Sequence, residues 1–204
     1  MRKTRTYITA SLGLLIVIGV LATSAEMAIP NSVWAANFNQ IPFGSPFEES
    51  ALDAHIGEEW SDVVPTLVRL GTYAADLYVK QDETYLYVGI ALHTGRRLGK
   101  IIAAYVYFDD GNFRPYSRGD DFMMIRSGNE VASDADYYYV DENEIKFDRR
   151  GGGHADALGI GRFDETAGAY VFEFRKEMDS GDVRDLPLSI GAPIAMIFGI
   201  EMDE

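Results

Sequence analysis

The sequence contains no cysteine, which removes disulfides, thiolate metal sites, lipidation at a lipobox and cysteine nucleophiles together. Histidine is scarce. The three present, His55, His93 and His154, lie far apart, and none has the short spacing a zinc site would use. No serine stands in a G-x-S-x-G elbow, and no phosphate-cradling glycine motif occurs. Basic residues are few: 18 Lys and Arg stand against 32 Asp and Glu, a net charge of −14. Three of the basic residues, Arg2, Lys3 and Arg5, fall in 1–36 beside a single acid, Glu26. Residues 37–204 therefore hold 15 basic against 31 acidic groups, a charge of −16. A surface this acidic repels phosphate backbones and anionic lipid, so nucleic acid is excluded as a partner class and cations are favoured.

Also missing after residue 37 is any long stretch with apolar residues at a 3.6-residue period. What stands there instead is a series of short β-branched and aromatic runs, at 66–70, 75–80, 85–92, 101–108, 122–126, 136–140, 144–147, 157–163, 170–175 and 194–200. Turn residues separate them, among them Gly71, Gly95, Gly128 and the Asp164-Glu165 pair. Ten short strands without crossover helices predict an all-β fold, an antiparallel β-sandwich of jelly-roll type. A hydrophobic content of 47% is ample for one core, and the 12% aromatic share agrees with β structure.

The N-terminus reads differently. Arg2, Lys3 and Arg5 precede an apolar stretch at 12–22, and small residues follow at 33–36. This is the pattern of an export signal at 1–36, with an uncleaved membrane anchor as the alternative, and it predicts a secreted or extracytoplasmic domain. Any membrane contact is expected through this segment alone. Cleavage is expected after Ala35 or Ala36, or earlier within 22–25. Residues 37–52, with Pro42, Gly44 and Pro46 and no period, read as a linker, leaving 53–204 as the domain.

The densest chemistry lies in 100–126, where an apolar strand runs into a loop carrying Asp109, Asp110, Asn112, Asp120 and Asp121. Clustered carboxylates and an amide are the ligands hard cations take, so calcium is the expected ion. The spacing is not that of an EF-hand, since Arg114 and Pro115 occupy the third ligand and the glycine positions. Arg114 and Arg118 equally offer to pair the carboxylates without metal. Paired carboxylates also suit glycoside hydrolysis, but an acidic chain supplies such pairs by chance, and a non-catalytic reading is preferred. Phe113 and Tyr116 in this loop, with Tyr137, Tyr138 and Tyr139 on a nearby strand, are the candidate ligand-stacking rings. At least one of three consecutive tyrosines on a strand must face away from the core. Trp60, alone among tryptophans outside 1–36, reads as a buried anchor. Met123, Met124, Met178 and Met196 read as core filler, with a non-covalent haem using Met and His93 as the alternative.

The order of these pieces resembles the DOMON-like superfamily of β-sandwiches. The matching residues are Asp53 with Glu59-Trp60, and Leu77-Tyr78-Val79-Lys80 followed by Asp82 and Tyr85-Leu86-Tyr87-Val88. Tyr107-Phe108-Asp109, Gly119-Asp120-Asp121 and the run from Ala169 to Arg175 complete the set. Members of that superfamily include family 9 carbohydrate-binding modules and haem-binding gamma subunits related to ethylbenzene dehydrogenase. The resemblance implies a ligand-binding module, for carbohydrate or another cell-surface ligand, with haem electron transfer or surface assembly as alternatives.

Overall fold

A computed structural model describes residues 32–38, 40–109, 121–128, 131–141, 144–182 and 185–202. The chain folds as a β-sandwich of two six-stranded sheets. The strands are β1 (Ser32–Phe38), β2 (Thr66–Leu70), β3 (Tyr73–Gln81), β4 (Tyr85–His93), β5 (Ile102–Asp109) and β6 (Asp121–Arg126). They continue with β7 (Ser133–Asp134), β8 (Asp136–Asp141), β9 (Glu144–Phe147), β10 (Ala157–Asp164), β11 (Ala169–Glu177) and β12 (Ile194–Met202). One sheet has the order β1-β12-β5-β6-β8-β9 and the other β2-β3-β4-β11-β10-β7. Every pairing between named strands is antiparallel.

The period of two decides what each strand gives to the interior. On β5, Ile102, Ala104, Val106 and Phe108 enter the main core between the sheets, while Ala103, Tyr105 and Tyr107 form a second apolar cluster on the outer face. On β11, Phe172 and Phe174 point inward and Val171 and Glu173 outward. Both sheets are thus apolar on both faces, which is why their sequences read as near-continuous apolar runs.

The outer face of the β2–β4 sheet is covered by the chain that precedes it. Leu52 and Ala54 pack on Ala91, Ile160 and Val171. Trp60 is 1% exposed, and its Nε1 donates to Glu173 Oε1 at 2.7 Å. Gly89 makes room for the indole: a Cβ there would stand 3.1 Å from the ring. Glu173 Oε2 accepts from the backbone N–H of Asp53 and Ala54, at 3.0 and 2.6 Å. Ala54 holds a left-handed φ of 54°, a conformation unfavourable for a residue with a Cβ, and this clamp maintains it. Trp60 is therefore the buried anchor its position predicts.

Part of 37–52, expected as a linker, is built into the sandwich. Asn37 and Phe38 end β1, Ile41 is buried, and Gln81 Nε2 donates to the Ile41 carbonyl at 2.9 Å. Pro42 and Gly44 hold a backbone partner in Gln81. Aperiodic residues with turn formers look alike whether they run free or lie along a sheet edge; the difference is made by a partner remote in sequence. The small residues at 33–36 likewise lie in β1, paired to β12 from Ser32↔Ile200 to Phe38↔Ile194. The expected leader helix falls outside the described residues, among which no helix is long and apolar enough to cross a membrane.

Candidate functional site

Alternation places aromatics from four strands on the outer face of the β5–β9 half of the first sheet. Tyr105 and Tyr107 on β5, Phe122 on β6, Tyr137 on β8 and Phe147 on β9 make a row across the strands. Successive ring centroids lie 5.9, 5.0, 5.6 and 4.3 Å apart. Such contacts add to burial as cross-strand pairs. Tyr105, Tyr107 and Phe122 are buried, while Tyr137 and Phe147 are half-buried. The row therefore surfaces at the β8–β9 edge.

At that edge a cavity of about 480 Å³ is lined by Tyr137, Tyr138, Ile145, Lys146, Phe147 and Arg150, within the range typical of small-ligand sites. The strand register sets Tyr137 opposite Phe147 and Tyr138 opposite Lys146. The Arg150 guanidinium lies 5.2 Å from the Phe147 ring centre. Burial, reinforced by the Asp134 carboxylate, pushes the Tyr137 phenol up to about 12, so it is neutral across the physiological range.

Two of the predicted rings, Tyr137 and Tyr138, thus line one cavity, and Tyr139 belongs to the same strand, opposite Ile145. Phe113 and Tyr116 lie outside the described residues. The sequence reading missed Phe147, Lys146 and Arg150, although an aromatic paired across a hairpin from a tyrosine run was a signal available for finding them.

The predicted acidic set divides similarly. Asp110, Asn112 and Asp120 lie outside the described residues, and Asp109 closes β5. Asp121 is the one whose side chain is described, and it points between the sheets. There it meets carboxylates the sequence reading did not gather: Asp136 at the start of β8, Asp156 just before β10, and Asp185 in the β11–β12 connection. Carboxylate oxygens of Asp121, Asp136 and Asp185 lie within 4.8 Å of one another, a group that could hold a metal ion. Lys176, at the inward end of β11 and fully buried, reaches into the same group. Its Nζ donates to Asp156 Oδ1 and Oδ2 at 2.8 and 3.0 Å, and lies 3.4 Å from Asp121 Oδ2 and 3.5 Å from Asp185 Oδ1.

Electrostatics follow from burial. Removal from water raises Asp121 to about 6, with the Lys176 charge opposing. Asp136 and Asp185 are raised by the same desolvation and by their carboxylate neighbours. Asp156, though desolvated, is held below the ordinary range by hydrogen bonding from Asp185 and by Lys176. Burial works to lower Lys176, but the four surrounding carboxylates outweigh it and raise it.

The residues weighed for haem are spread out. Met123, Met178 and Met196 belong to the core between the sheets, and Met124 packs with the aromatic row. His93 is exposed, with Nε2 2.9 Å from Asp76 Oδ2. His55 Nδ1 lies 2.6 Å from Asp164 Oδ2, and that hydrogen bond raises the imidazole above its ordinary value.

This arrangement defines a β-sandwich with an edge cavity and a buried acidic cluster. No protein-family model matches the chain, and no curated protein matches it. Among solved structures, a family 9 carbohydrate-binding module from Caldicellulosiruptor kristjanssonii in complex with cellotriose is similar at 14% identity. The alignment covers 78% of this chain and 82% of that one, with a TM-score of 0.42. A family 9 module from the same organism in complex with glucose aligns at 12% identity, over 78% and 84% of the two chains, with a TM-score of 0.43.

Proposed function

We propose that this protein is an exported, non-catalytic module that binds carbohydrate in the cavity at the β8–β9 edge. The observation that carries the reading is the row of aromatic rings that surfaces at a cavity also lined by two cationic side chains. Tyr137, Tyr138 and Phe147 offer ring faces for the apolar side of a sugar, and Lys146, Arg150 and the tyrosine hydroxyls offer donors for its hydroxyl groups. A cavity of about 480 Å³ that opens at a sheet edge suits one or two sugar units of a longer chain. Export is supported by the basic residues and apolar stretch of 1–36.

The test is affinity electrophoresis through gels containing soluble β-glucan, xylan or mannan, with wild type beside Phe147→Ala and Tyr138→Ala. Retardation by one glycan, weakened about threefold to tenfold in each variant, is the expected outcome for loss of a stacked ring. Circular dichroism of the variants separates loss of the site from loss of the fold. A wild type that migrates unchanged through every glycan sinks the reading.

A further inference from the structure

The inner faces of the two sheets are apolar along most of their length, and at one end four carboxylates replace the hydrocarbon. Asp121, Asp136, Asp156 and Asp185 converge from both sheets and a connecting loop, and among the described residues Lys176 brings the positive charge. Four carboxylates face one ammonium, an excess of three negative charges when all are ionised. Asp156 takes the ammonium with both oxygens at 2.8 and 3.0 Å. The longer separations to Asp121 and Asp185, 3.4 and 3.5 Å, leave those two carboxylates and Asp136 short of positive charge.

A second observation comes from Asp136 itself. The residue is 1% exposed, and its Oδ2 accepts from the Asp156 N–H at 3.3 Å. Its Oδ1 is buried and has no hydrogen-bond partner among the described residues. A buried acceptor left without a donor is costly, and a bound ion or water is one way native proteins satisfy it. This carboxylate lies in the group whose oxygens stand within 4.8 Å of each other.

From this geometry we infer that Asp121, Asp136 and Asp185 hold one calcium ion at the end of the sandwich core, beside the Lys176–Asp156 pair. All donors are oxygens, which selects a hard cation, and carboxylates that approach from three separate segments suit the larger, irregular shell of calcium better than the strict octahedron of magnesium. Backbone carbonyls and water complete the shell. The ion ties β6, β8 and the β11–β12 connection together and completes the charge that Lys176 balances only in part. The inference is independent of the carbohydrate reading.

The experiment uses the folded protein after chelation, with terbium and then calcium as the probes. Terbium luminescence excited through tyrosine, displaced by calcium and not by equimolar magnesium, is the expected result, since Tyr138 shares β8 with Asp136. Calcium at 100 times its dissociation constant should raise the melting temperature by about 5–10 °C. Asp136→Asn removes one ligand charge while keeping shape, and should weaken calcium at least tenfold. Asp185→Asn, in a connecting loop, gives a second variant should the first fail to fold. Exposed Glu58→Gln should respond as wild type does. Absence of both terbium signal and calcium shift overturns the inference, as does a full response in both Asp136→Asn and Asp185→Asn.

Discussion

Two lysines of this sandwich are wholly removed from solvent, and they are neutralised in opposite ways. Lys80 lies on the outer face of β3 under the segment that carries Trp60. Its ammonium sits 5.2 Å from the Phe47 ring, 5.6 Å from Trp60 and 5.9 Å from Tyr87. It donates to the Glu59 carbonyl at 2.5 Å and to the part-exposed Asp62 Oδ1 at 3.0 Å. Lys176 lies on an inward face among four carboxylates. One cation is matched by ring quadrupoles, a carbonyl and one partly hydrated carboxylate; the other is overmatched by formal charge. Aromatic surroundings solvate an ammonium without creating a demand for more charge, whereas a surplus of buried carboxylates does create one. That difference is why one lysine marks a finished anchor and the other a candidate ion site.

The comparison breaks most visibly at Lys176. Lys176→Met leaves four clustered carboxylates with no counter-charge, and urea unfolding at neutral pH should show a loss of about 3–5 kcal/mol. Part of that loss should return at pH 5, where the carboxylates protonate. Glu173→Ala tests the anchor beside Lys80 from its other side. It strands the N–H groups of Asp53, Ala54 and Trp60, and a loss of about 3 kcal/mol by the same measurement is expected, with a red shift of tryptophan fluorescence. Lys80→Met should cost less, about 1–2 kcal/mol, because the thioether still packs against three rings and Asp62 remains partly hydrated. A Lys80→Met loss equal to that of Lys176→Met would remove the distinction.

The smallest effect is the pH slope in the presence of chelator. Asp121 and Glu173 are raised by burial to about 6 and about 7, and Asp136 and Asp185 are raised for the same first reason. Each binds its proton more tightly folded than unfolded, so its contribution is full below pH 4 and is lost as pH rises through the folded value. His55, also raised, loses its contribution above its ordinary value. Melting temperature should therefore decline from pH 5 to pH 8; a rise over that interval would contradict these environments.

Much of the fold was legible because strand formation here is written locally. Runs such as Tyr85–His93 and Ile102–Asp109 are β-branched and aromatic, and turn residues bound them, so all ten expected strands occur within a few residues of their predicted ends. The strands that escaped notice, β1 and β7, are the ones whose sequences are short or lie among small residues with no alternation of their own. They exist because β12 and β10 offer free edges.

The sites were legible in part. A run of three tyrosines announces that a ring must leave the core, yet whether those rings stack on a partner strand's aromatic depends on register. Phe147 faces Tyr137 only because of the β8–β9 pairing. Asp121 stood out in an acidic loop, but Asp136, Asp156 and Lys176 are polar residues at or beside the ends of apolar strands, and Asp185 is one of several charged residues in the β11–β12 connection. Nothing local separates them from ordinary solvent-facing ends. Composition and periodicity alone determined an acidic, disulfide-free β-sandwich, since these depend on each residue's own chemistry and its neighbours a few positions away. Only the tertiary structure decided which strand ends meet inside the molecule, because that is set by sheet order between residues 65 positions apart, as Asp121 and Leu186 are where their hydrogen bond joins them.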